Sequence, residues 1–232
     1  MFIMKNLLPI LLMAGFSLTA HAQDVPAANS VFGNGEGVNG QVYAVAVQAD
    51  GKIVIGGEFG SVNGVARQNL ARLNADGTLD KSFIPQAAEG PNGPVFALAI
   101  DAAGNVLAGG NFNLIGNTQS TDIARLDPTG KVDKTFGGPG SDEGTNGTVS
   151  ALIVQPDGKV LIGGNFTIVR GQTRRNLARL NADGTLDSVV PATGSVNGPV
   201  RALAFAPVQG AAIAGGSFPA GGQVGRSILQ VK

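Results

Sequence analysis

A seven-residue stretch occurs four times along the chain and limits what it can fold into. IVIGGEF (53–59) comes back as VLAGGNF (106–112), VLIGGNF (160–166) and AIAGGSF (212–218). The glycine pairs begin at Gly56, Gly109, Gly163 and Gly215, a period of 52–54 residues. Repeats at a fixed step of this order belong to arrays in which each unit buries one face against the next. Two more blocks keep the same step. VNGQVYAVAV (38–47) returns as PNGPVFALAI, TNGTVSALIV and VNGPVRALAF. NLARLNADGTLD (69–80) returns at 176–187, and as DIARLDPTGKVD at 122–133. The four copies, approximately 29–83, 84–136, 137–190 and 191–232, fill residues 23–232 as one domain.

Residues 1–22 precede the repeats. They hold one lysine, an apolar run from Leu7 to Ala20, and small residues at Ala20 and Ala22, the layout of a secretory signal. Pro9, Gly15 and the short run argue against a membrane span. The only histidine, His21, lies in this segment, so residues 23–232 contain neither His nor Cys. That removes the commonest general base, the commonest metal ligand and the thiol nucleophile, and leaves stability to the core rather than to disulfides. A formal net charge of zero argues against a nucleic-acid partner.

Each copy reads as four short strands: alternating apolar strand a (Val42–Val47), glycine-pair strand b, NLARL as strand c and TLDKSF as strand d. NADGT, DPTGK and QPDGK place glycine at the left-handed position of a type I turn with a bulge, a three-residue hairpin loop. That loop sets Leu73 opposite Leu79 and Arg72 opposite Asp80, with Arg125–Asp133 and Arg179–Asp187 as the equivalent ladder pairs. The last copy stops at SILQVK, after strand c. NSVF (29–32) aligns with DKSF, so Asn29 takes the Asp position and Gln230 the Arg position, an amide pair in place of an ion pair. The pattern predicts an all-β chain, a β-propeller of four four-stranded blades closed by the N-terminal strand completing the last blade.

DGKIVIGGEF followed by NLARLNADGTLDKSF resembles the delta-60 repeat of bacterial exported and surface β-propellers, over about residues 29–232. The resemblance implies fold and compartment, that is, a secreted protein in the periplasm, outside the cell or on its surface. It implies no catalytic residues.

Three residue sets are candidates for function. The glycine pairs lack the following helix that a phosphate cradle needs, so they belong to the strand. The a–b and c–d turns share one face, which leaves the long d–a and b–c loops on the other, where binding sites usually sit. There Glu36, Glu89 and Glu143 precede Asn39, Asn92 and Asn146 by three residues, with Asn197 in the last copy. These oxygen-bearing side chains are expected either to ring a channel mouth and hold Ca²⁺, through Glu36, Glu89 and Glu143, or simply to form Asn-Gly turns. No other cofactor is expected. The b–c loops carry Arg67, Arg170, Arg174, Arg175 and Arg226, a locally basic face suited to an acidic glycan or protein. Ala44, Ala97, Ala151 and Ala202 fit crowding near an axis. The expectation is a non-catalytic binding or structural module, monomer or homodimer, taking a protein or glycan ligand on the long-loop face. One rival is a carbohydrate-active enzyme using Glu36, Glu89, Glu143 or Asp142, and another is an interaction module whose full propeller forms only by dimerisation or within a longer protein.

Overall fold

In a computed structural model of the chain, the described residues are 37–84, 89–138, 144–188, 196–206, 211–217 and 228–231. They form four three-stranded antiparallel sheets, one per copy. The first joins β1 (Gln41–Val47), β2 (Ile53–Glu58) and, beyond the hairpin β3 (Ser61–Val62) and β4 (Val65–Ala66), β5 (Leu70–Leu73). The second holds β6 (Val95–Ile100), β7 (Val106–Gly110) and β10 (Ile123–Leu126), with hairpin β8 (Leu114–Ile115) and β9 (Thr118–Gln119). The third holds β11 (Val149–Val154), β12 (Val160–Gly164) and β15 (Leu177–Leu180), with hairpin β13 (Ile168–Val169) and β14 (Gln172–Thr173). The fourth holds β16 (Val200–Ala206), β17 (Ala211–Gly216) and β18 (Ile228–Val231). Asn29 lies outside the described residues, as does the side chain of Gln230, so the closing strand and its amide pair do too. No described helix is long and apolar enough to cross a membrane.

The expected c–d register is present, but strand d is not. Leu73 bridges Leu79, Leu126 bridges Val132 and Leu180 bridges Leu186, each as an isolated pair. Pairing stops there because the next carboxylate turns the chain. Asp80 Oδ1 accepts from the Ser82 N–H at 2.9 Å and its hydroxyl at 2.6 Å, and Asp133 holds Thr135 in the same way. Such local side-chain-to-backbone bonds compete with a sheet ladder. The structure thus corrects the four-stranded unit to three strands and a capped turn. A second finding concerns the b–c connection, expected as a long loop, which holds a short hairpin. Asn63 and Gly64 have φ of 49° and 74°, the two left-handed residues that a type I′ hairpin needs, and Arg170 and Gly171 repeat them at 49° and 72°.

Consecutive units meet through one repeated fit. The first glycine of each pair clears a place for a valine of the next unit. A Cβ on Gly56, Gly109 or Gly163 would stand 2.6, 2.6 or 2.4 Å from Cγ1 of Val95, Val149 or Val200. Those three valines are 0% exposed, and burying each contributes about 1.5–3 kcal/mol. The apolar clusters straddle the junctions accordingly: Val54 and Leu70 pack with Val95 and Val106, and Leu161 and Leu177 with Val200 and Ala212. The second glycine meets its own sheet. A Cβ on Gly57 would fall 1.9 Å from Gln41 O, beside the register shift between Val42 and Ala44.

The arginine ladder also joins units. Arg72 Nε donates to Asp80 Oδ2 at 2.9 Å, its guanidinium lies 4.6 Å over the Phe83 ring, and Nη1 reaches Pro128 O of the following copy at 2.7 Å. Arg125 does the same with Asp133, Phe136 and Ala182 O. Arg179 pairs with Asp187 at 2.8 Å, with no further described turn to reach. The sequence reading placed each pair inside its own unit, whereas two of the three also staple it to the next. Burial works to raise the Asp80 pKa, but bonds from Lys52 and Ser82 and the Arg72 charge hold it well below the usual carboxylate range.

Candidate functional site

Strand a reaches the long-loop side through a β-bulge, and the bulge decides what that side presents. In all four sheets the register slips between the valine and the alanine that flank one residue. That residue is Tyr43, Phe96, Ser150 or Arg201, while valine precedes it and alanine follows it every time. A bulge re-aims a side chain out of the regular alternation, and such irregularities gather at functional edges. Tyr43 is 41% exposed, and its ring centroid lies 5.1 Å from that of Phe96 at 41°. Its hydroxyl reaches Gln41 Oε1 at 2.7 Å and Glu58 Oε2 at 3.3 Å. Partial desolvation and the Glu58 charge raise the phenol pKa. Glu58, Asn111, Asn165 and Ser217 follow the glycine pairs beside this row, and all four are exposed.

Asn111 also borders an open cleft of ≈ 500 Å³ between the second and third units, lined by Asn92, Phe112, Asp122, Thr145 and Asn146. Asp122 is the carboxylate of that lining and is 6% exposed. Its counterparts are Asn69 and Asn176, and all three share a left-handed φ of 58–63° that Asn and Asp tolerate. Asn69 donates to Pro91 O at 2.9 Å and Asn176 to Val196 O at 2.7 Å, each tying strand c to the next unit. Asp122 cannot donate when ionised. It faces the Thr145 hydroxyl, 3.2 Å away, which also bonds Gly147 O. Burial pushes its pKa up to about 6, against the opposing bonds from Thr145 and Phe112 N–H.

The expected ring residues have other duties. Asn39 Oδ1 accepts from the N–H groups of Gly60 and Ser61 at 2.8 and 2.7 Å. Asn92 Oδ1 accepts from Asn113 and Leu114, and Asn146 Oδ1 from Thr167 and Ile168. These amide oxygens are spent on anchoring each b–c hairpin. Asn197 is exposed at the same place before β16. Glu89 lines a different cleft of ≈ 400 Å³, with Ile84, Ile115, Asn117 and Lys131. Glu36, Glu143 and Asp142 lie outside the described residues. No group of three metal-binding side chains occurs among the described residues.

The basic face is corrected as well. Arg67 and Arg174 are buried, at 4% and 9% exposure, each donating to the carbonyl of the preceding residue. Arg170 donates to Gly184 O at 2.9 Å and stacks 5.8 Å from the Phe136 ring, and its burial lowers its pKa. Arg175 is exposed as expected, and Arg226 lies outside the described residues. The bulge row was missed in the sequence. Its signal was there, as the one position of strand a that changes character between copies.

Comparison with known proteins adds a family. The model of the Domain of unknown function (DUF5122) beta-propeller matches residues 48–83, 104–136 and 155–188, the same part of each of the first three copies. This supports a β-propeller repeat family for the chain. No curated protein matches. Among solved structures, the chain is similar to PorZ, a surface component of the type-IX secretion system of Porphyromonas gingivalis, at 15% identity and TM-score 0.47, covering 75% of this chain and 24% of that one. It is similar to the extracellular domain of a one component system from B. thetaiotaomicron at 17% identity and TM-score 0.45, covering 75% of this chain and 20% of that one. Virginiamycin B lyase from Staphylococcus aureus follows at 14% and 0.42, covering 77% and 50%. The chain spans between a fifth and a half of the length of these structures.

Proposed function

We propose that the chain is an exported, non-catalytic β-propeller of the delta-60 type that binds a glycan on its long-loop face. The observation that carries this is the bulge row. Four equivalent positions hold Tyr43, Phe96, Ser150 and Arg201 between residues that do not change, Tyr43 and Arg201 exposed and Phe96 and Ser150 half-buried. Two tilted aromatic rings offer a platform to the apolar face of a pyranose, and Glu58, Asn111 and Asn165 offer hydrogen-bonding groups to its hydroxyls. Residues 1–22, with the layout of a secretory signal, support export.

A glycan array on the chain and on a Tyr43→Ala/Phe96→Ala variant tests the reading. Selective binding that falls about tenfold or more in the variant, at unchanged melting temperature, supports it. Binding that survives the double substitution, or capture of a protein alone in a parallel pull-down, contradicts it. Calcium belongs to the same proposal through Glu36, Glu89 and Glu143. Millimolar calcium should then raise the melting temperature of the chain but not of Glu89→Gln.

A further inference from the structure

Each internal junction has a donor half and an acceptor half, and among the described residues one donor half, on β1, and one acceptor half, on β17, stand exposed. The donor half is the valine before the bulge with the residue three positions on. In the second to fourth units these are Val95 and Leu98, Val149 and Leu152, and Val200 and Leu203. Val149 and Leu152 are 0% and 6% exposed. In the first unit the same positions are Val42 at 40% and Val45 at 60%, with Val47 at 65% beside them. The acceptor half is the first glycine of the pair with the apolar residue two positions before it. Val54, Leu107 and Leu161 fill that place at 0–1% exposure, whereas Ile213 of the last unit is 38% exposed beside Gly215. Four of the seven exposed large apolar side chains among the described residues thus belong to these two faces, and none of the four is charged.

The two faces are complementary by construction, because the same pair closes three times inside the chain. We propose that they close on each other between molecules: Val42 and Val45 of one copy seat on Gly215 and Ile213 of a second copy, head to tail. The occupant is a second copy because no other described surface offers a glycine-cleared apolar face at this register, and the chain's own last sheet does not cover β1. A heterologous contact of this kind closes into a ring when its rotation permits. The inference does not depend on the proposed glycan site.

The sequence has no cysteine, which gives a direct test. At the internal junctions, valine Cβ lies 2.9–3.3 Å from the Cβ position of the facing glycine, a little short of the roughly 3.5–4.5 Å between the Cβ atoms of a disulfide, so that a small separation of the two faces admits the bond. The double variant Val42→Cys/Gly215→Cys is therefore expected to oxidise into disulfide-linked multimers, resolved from single chains on a non-reducing gel. In sedimentation, the unmodified chain should show a mass above one copy that falls on dilution. Val45→Lys should weaken the association about tenfold or more, while Leu114→Lys, at an exposed hairpin position, leaves it unchanged. A disulfide formed within one chain would overturn the proposal in favour of closure on itself. A single-copy mass at all concentrations would overturn it as well.

Discussion

Strands β1 and β6 have nearly the same sequence, QVYAVAV against VFALAI, and nearly the same backbone, with the bulge at the same place. Yet Val42 is 40% exposed and Val95 is 0%. The difference lies in the neighbour. Val95 sits on Gly56 of the preceding unit, and β1 has no such unit before it among the described residues. In a repeat array, then, the sequence of a unit specifies which face is apolar, and the array decides whether that face is covered. The glycine pair is the receiving half of that arrangement, so its conservation in spacing reports packing between units rather than a ligand.

The largest effect that would test this comparison is at the second glycine. Gly57→Ala forces a Cβ into the Gln41 carbonyl, which only a shift of the bulge relieves, and should cost about 3 kcal/mol in chemical denaturation. An unchanged midpoint would mean that the bulge is not rigid. Next come the staples. Arg72→Ala removes the Asp80 pair, the stack on Phe83 and the bond to Pro128 O, an expected loss of about 2–3 kcal/mol. Arg179→Ala, with neither a described bond to a following turn nor a described ring to stack on, should lose about 1 kcal/mol less. Equal losses would show that the bond to the next unit and the stack on Phe83 together contribute nothing. Val95→Ala should cost about 2 kcal/mol, and Val42→Ala close to nothing in dilute solution.

Much of this was legible because it is local. The DG turns fix the Leu73–Leu79 and Arg72–Asp80 register within a dozen residues, and both appear as expected. The glycine at the left-handed turn position is likewise found, at φ 81° in Gly77 and 87° in Gly130. Strand d was over-read because TLDKSF follows a hairpin turn in register with strand c, while Asp80 uses its carboxylate to turn the chain instead. The b–c hairpin was under-read although Asn63-Gly64 between two valines is a hairpin signal, because the four loops differ in sequence. The burial of Arg67 and Arg174 is not revealed by composition, which reads a loop arginine as solvated. The same holds for the candidate site. Its Asn residues were found, with a ligand ring and Asn-Gly turns as the two readings, and the bulge that sets Tyr43 beside Phe96 appears only once strands a and b are in register.

A further expected effect depends on pH. Asp122, with a folded pKa of about 6 against about 4 unfolded, binds more protons when folded. Its stabilising contribution is complete below about pH 4 and is lost as pH rises through 6, on the order of 1–2 kcal/mol. Asp122→Asn copies the first and third units and should remove that slope while stabilising the chain at neutral pH. An unchanged slope between pH 4 and 7 would show that Asp122 is not the group responsible.

The central claim is that the valine-on-glycine junction is filled inside the array and open at its first strand. Thiol labelling of Val42→Cys and Val95→Cys, each the only cysteine in its chain, measures this directly. In dilute solution, Val42→Cys should react about a hundredfold or more faster than Val95→Cys, and should slow as the protein concentration rises. Equal rates for the two positions in dilute solution would contradict the account.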